Sequence, residues 1–127
     1  MDGSAFASIA GMSVEQIWVW GPIRLVLDIG SGAPPATYVD VNDAVLVKPD
    51  GTEVEIDAFG RPGEAGGVLA LLNDRVEVAE NLAGTLRLVF ASGTQLRARP
   101  DDHYESWKIV AEGRTFQCLP GGEVGSF

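Results

Sequence analysis

The sequence predicts a mainly β domain: two pseudo-repeated antiparallel meanders packed face to face as a small sandwich or partly open barrel, with one short helix between the halves. Three observations predict it. Apolar and polar residues alternate along much of the chain, as in Ile23-Arg24-Leu25-Val26-Leu27-Asp28-Ile29, and strands with one packed and one wet face read this way. Sixteen glycines and seven prolines in 127 residues cut the chain into pieces too short for long helices. Ile23 to Leu27 recurs as Leu86-Arg87-Leu88-Val89-Phe90, 63 positions later.

Residues 1–12 carry Asp2 and no Lys or Arg. They lack the basic start and apolar centre of a secretory signal and read as a flexible leader. The first β half, 13–58, divides into strands 14–20, 23–29, 38–47 and 52–57. Gly30 to Pro35 is a loose connector. Pro49-Asp50-Gly51 is a hairpin turn, because proline presets one dihedral and glycine accepts a positive one. Residues 61–73 suit a short helix, with Pro62 and Glu64 in its first turn and Val68, Leu69 and Leu72 as its apolar stripe. Gly66 and Gly67 weaken it by about 1 kcal/mol each, so packing must hold it; a structured loop is the alternative. The second half, 75–123, gives strands 75–80, 85–91, 95–99 and 107–118, the last folded on itself at Glu112-Gly113. Ser92-Gly93 joins the second of these to the third.

The halves align further. Gly30 falls opposite Gly93, and Val45 to Ile56 opposite Trp107 to Cys118, around Gly51 and Gly113. A four-stranded meander has one apolar face that needs cover. Two such sheets facing each other supply it. An internal duplication accounts for the likeness; chance similarity between short strands is the other account.

Composition removes several function classes. Nine Lys and Arg stand against 18 Asp and Glu, a formal charge of −9, so bare phosphate backbones, and hence nucleic acids, are not expected partners. No apolar run reaches the roughly 18–20 residues of a membrane helix. A single cysteine, Cys118, excludes a disulfide framework and a multi-cysteine zinc site. It alternates with Phe116 on a packed face and reads as a buried thiol. The one histidine, His103, lies 15 positions away, which leaves a cysteine nucleophile without an evident base. Gly63 to Gly67 lacks the lysine of a phosphate loop. No catalytic set, metal or cofactor is read from these residues, and a cytoplasmic location is the default.

Two groups stand out as partner or ligand sites. Asp101, Asp102, His103, Tyr104 and Glu105 are the densest run of chemically capable side chains, leading into Trp107; a solvated acidic turn is the plain alternative. Trp18 and Trp20 share one strand face. With Ile17 and Val19 inward, both indoles are outside, where tryptophans anchor interfaces; with the faces reversed they fill the core. Residues 1–57 carry a net −7 and 58–127 a net −2, so Asp40, Asp43, Asp50, Glu53, Glu55 and Asp57 are expected to form an acidic sheet face that steers a basic partner. The expected function is a non-catalytic protein-interaction module, of the acidic immunity or antitoxin kind, binding a basic partner. The alternative is a small-ligand binder with a pocket lined by Trp18, Trp20, Tyr104 and Trp107. Sheet edges are also compatible with a homodimer.

The closing residues Tyr104-Glu105-Ser106-Trp107, then Cys118-Leu119-Pro120-Gly121-Gly122-Glu123, resemble the signature of a family of small bacterial proteins, frequent in actinobacteria, that has no assigned function. The resemblance covers roughly Ile23 to Glu123. It brings no catalytic residues to carry over.

Overall fold

The alternation is realised as eleven strands in two antiparallel sheets, described for residues 4–30, 35–57 and 66–127 of a computed structural model. The strands are β1 Gln16–Val19, β2 Ile23–Asp28, β3 Thr37–Val41, β4 Asp43–Val47, β5 Glu53–Asp57, β6 Val76–Leu82, β7 Thr85–Phe90, β8 Gln95–Ala98, β9 Trp107–Ala111, β10 Arg114–Cys118 and β11 Val124–Ser126. One sheet runs β1-β2-β3-β9-β10-β11 and the other β5-β4-β8-β7-β6. Both are open, so the molecule is a sandwich and not a closed barrel.

The expected strand 38–47 is two strands. The chain leaves the first sheet at Asn42, whose backbone N–H donates to the Ser106 carbonyl (3.1 Å) and whose side-chain amide donates to the Glu105 carbonyl (2.6 Å). Each half therefore divides between the sheets. β1-β2-β3 pair with β9-β10, and β6-β7-β8 pair with β4-β5. Apart from β11, exchanging β1–β5 for β6–β10 turns one sheet order into the other, so the connectivity has a pseudo-twofold pattern. β11, which no alternation announced, pairs with β10 through Cys118 and Val124.

Inward residues of the two sheets meet in one core: Leu25, Val39 and Ile109 from the first, and Leu46, Leu88 and Leu96 from the second, all buried. The leader is docked over part of its length. Ser4–Ile9 forms a helix, α1, that buries Phe6 and Ile9, and the Phe6 ring meets the Trp107 ring edge-on at 6.1 Å. The expected helix at 61–73 is a 3-10 helix over Gly66–Leu71; its predicted first turn lies outside the described residues. Its three-residue repeat buries Val68 and Leu71 and leaves Leu69 and Leu72 exposed, because 3-10 side chains align at i and i+3. Among the described residues no helix is long and apolar enough to cross a membrane.

The closing residues converge on one carbonyl. Ala83-Gly84 turns β6 into β7 with both residues left-handed, at φ 52° and 94°, as a tight hairpin requires. The Gly84 carbonyl accepts the Trp107 indole N–H at 2.8 Å and the Cys118 thiol at 3.5 Å. The turn from Leu119 to Glu123, closed by Leu119 N–H to the Glu123 carbonyl, lays Gly122 against Gly84. A Cβ on Gly84 would stand 2.7 Å from the Gly122 carbonyl oxygen.

This contact gives a graded expectation. Gly84→Ala combines left-handed strain with a backbone clash and should lower stability by about 3 kcal/mol. Gly113→Ala, equally left-handed but in open space, should cost only about 1–2 kcal/mol. Urea unfolding of both variants compares them; equal losses would remove the packing role assigned to Gly84.

Candidate functional site

The outer face of the first sheet carries a row set by strand register: Trp18 opposite Arg24, Arg24 opposite Asp40, Asp40 opposite Lys108, and Lys108 opposite Gln117. Alternation puts these side chains away from the core. Arg24 donates from Nε to Asp40 Oδ1 at 2.8 Å and from Nη2 to Oδ2 at 3.0 Å, the fork geometry that favours Arg over Lys. Lys108 Nζ lies 3.6 Å from the same carboxylate. Asp40 is only 7% exposed, because Arg24 and its neighbours roof it.

Aromatic rings surround that guanidinium. Its central carbon lies 3.8 Å from the Tyr38 ring centre, 4.7 Å from Trp20 and 5.6 Å from Trp18. A cation over ring faces is attracted by their quadrupoles. The hydrogen bonds that Arg24 donates to Asp40's carboxylate raise the Arg24 pKa above its ordinary value, against the opposing effect of burial. Trp18 is tied by its indole N–H to Gln16 at 2.8 Å and is half-buried, whereas Trp20 is 56% exposed. Ile17 packs on the core and both indoles lie outside, but Val19, expected inward with Ile17, is 50% exposed on the edge strand.

One cleft adjoins this platform and a second lies beyond it. The nearer, about 210 Å³, is bordered by Pro22, Asp40, Asn42, Glu105, Ser106 and Lys108 among others. The second, about 410 Å³, opens between β4–β5, the end of β8 and the 99–106 connector. Asn42 and Ser106 line both, at the corner where β3 becomes β4. Tyr104 stands in the larger cleft. Its pKa is raised, first by the charge of Asp101 and then by Asp43, with burial, a hydrogen bond to Asp101 and the charge of Asp57 contributing less.

The run Asp101–Glu105 is thus split by role. Asp101 and Tyr104 face the larger cleft, Glu105 borders the smaller, and Asp102 and His103 are exposed. The Asp101 carboxylate accepts the His103 backbone N–H at 2.8 Å, an ordinary turn closure. Among the described residues no three His, Cys, Asp or Glu side chains gather as a metal set. Trp107 leaves the surface group: at 2% exposed its side chain belongs to the core. The four aromatic residues of the alternative pocket do not share one cleft. The expected acidic face is divided too. Asp40 is paired and buried on the first sheet, while Glu53 and Glu55 stand exposed on β5, an edge of the second, where charges discourage edge-to-edge pairing. Arg24, Tyr38, Lys108 and Ser106 were not singled out by the sequence. The outward positions of Arg24 and Lys108 followed from alternation, but which strands lie side by side, and the burial of Ser106, did not.

These features define a two-sheet antiparallel β-sandwich that carries an aromatic and guanidinium platform beside a polar cleft. The chain belongs to the DUF6188 family, a family of unknown function, whose model matches residues 6–127. No curated protein and no solved structure matches the chain.

Two outcomes follow from the geometry. Asp40→Ala strands a partly buried guanidinium and should destabilise the fold by about 3 kcal/mol, whereas Lys108→Ala, at longer range and more exposed, should cost no more than about 1 kcal/mol. Thermal or urea unfolding ranks them, and a larger effect for Lys108 would refute the assigned order. Asp101→Asn should lower the Tyr104 pKa toward its ordinary value, as should added salt, because the group is exposed and its perturbation is Coulombic. Titration of the tyrosine ring carbons by NMR reads this shift.

Proposed function

We propose that the chain is a non-catalytic protein-binding module, of the immunity or antitoxin kind, whose platform docks a basic partner. The observation that carries this is the assembly of Trp18, Trp20 and Tyr38 around a guanidinium already held by Asp40. Trp, Tyr and Arg are the residue types that dominate interface energetics. Here Arg24 is ordered before any partner arrives, which lowers the entropy lost on association. The net charge of −9 supports a basic partner, drawn in by long-range attraction. The buried free thiol of Cys118 is compatible with a cytoplasmic setting, and the pseudo-twofold connectivity supports an origin by internal duplication.

The test is affinity capture by the full chain in lysate of its native host, followed by mass spectrometry and a binding titration with the captured protein. A basic partner is expected, bound less tightly as salt rises. Replacing Trp18 and Trp20 together by Ala should weaken it by about 30-fold or more while the chain stays folded. Capture indifferent to both indoles, or a strictly monomeric chain that retains nothing basic, would overturn the assignment.

A further inference from the structure

The larger cleft has a feature that surface charge alone does not explain. Asp43, Glu55, Asp57 and Asp101 line it, against Arg97 and Arg99. Asp43 and Asp57 are direct cross-strand partners, a placement that concentrates negative potential. Both already engage other groups, so they act here through their field. The raised pKa of Tyr104 reports that field at the cleft mouth. In the wall lies Ser106, 4% exposed, whose hydroxyl has no hydrogen-bond partner among the described residues. Buried polar groups are ordinarily paired, and an exception calls for a reason.

We propose that this cleft receives a Lys or Arg side chain of the protein partner. The Ser106 hydroxyl and the Asp101 carboxylate accept its N–H donors, and the Tyr104 ring lies along its stem. The inference rests on the protein-binding assignment and names the chemistry that the partner presents. Ser106 lines the cleft while its hydroxyl is covered, so binding through that hydroxyl requires the exposed turn Asp101–Glu105 to shift as the side chain enters. An anion would face the β4–β5 carboxylates, and among the described residues no set of ligands for a metal ion gathers here. A volume of about 410 Å³ accommodates one long side chain together with part of its backbone.

The experiment needs no identified partner. The full chain, isotope-labelled, is titrated with Nα-acetyl-arginine methylamide and Nα-acetyl-lysine methylamide. Nα-acetyl-norleucine methylamide serves as the neutral control and inorganic phosphate as the anion probe. The expected result is saturable shifts at Asp101, Tyr104 and Ser106 with at least one basic probe and none with norleucine. Ser106→Ala removes only an unpaired hydroxyl, so the fold should tolerate it, yet affinity should fall about tenfold, as should affinity in Asp101→Asn. Absence of saturation with both basic probes, affinity in either variant equal to that of the unaltered chain, or saturation by phosphate would each overturn the cleft assignment. None of these results touches the indole platform, whose failure is read separately by the Trp18 and Trp20 variants.

Discussion

The crossing at Asn42 is the constraint on which the remaining structure depends. By anchoring its backbone and side chain to Ser106 and Glu105, the chain ends β3 in one sheet and starts β4 in the other. Neither half can then complete a sheet alone. β3 must find β9, with Val39 opposite Ile109, and β4 must find β8, with Leu46 opposite Leu96. Both pairings are long-range, so their stabilisation arrives only after loop-closure entropy has been lost.

The sites lie on these seams. The row Arg24, Asp40, Lys108 spans β2, β3 and β9, joining both halves across the first seam. The larger cleft lies beside the second, where β4 and β5 of one half meet β8 of the other. Asn42 and Ser106 mark the corner between them. A surface built across a seam is held by the whole fold. That rigidity suits binding, because groups fixed in advance lose less freedom when a partner docks. β3 is the central case: all five of its residues are buried, the inward ones by the core and the outward ones by the Arg24 stack.

The closing residues serve structure more than chemistry. Trp107 and Cys118 both reach the Gly84 carbonyl, and Gly122 fills the space that only a side-chain-free Gly84 leaves. A carbonyl inside a core is expensive to leave unpaired, so a turn buried at that depth needs donors supplied from elsewhere. Trp107 and Cys118 supply them. Tyr104 belongs to the same run of sequence yet stands at a cleft mouth, so one short motif divides between holding the fold and shaping its surface.

Local physics determined much of this protein. Alternation in Ile23–Ile29 and Leu86–Phe90, and the turns at Pro49-Asp50-Gly51 and Glu112-Gly113, announced antiparallel strands and their joints, because side-chain period and glycine dihedrals act within a few residues. The half-to-half likeness suggested one meander sheet per half, whereas the structure divides each half between the two sheets. Alternation also gave Trp18 and Trp20 a common face. Tertiary structure alone decided which face that was, through the burial of Ile17, and that 38–47 splits at Asn42. It also docked Phe6 and Ile9, set Arg24 against Asp40 and Tyr38, and drew Trp107 into the core while leaving Ser106 unpaired beside it. Each of these depends on which distant strands become neighbours. Strand adjacency is chosen by total burial and hydrogen bonding over the whole chain, and no local window of sequence contains that sum.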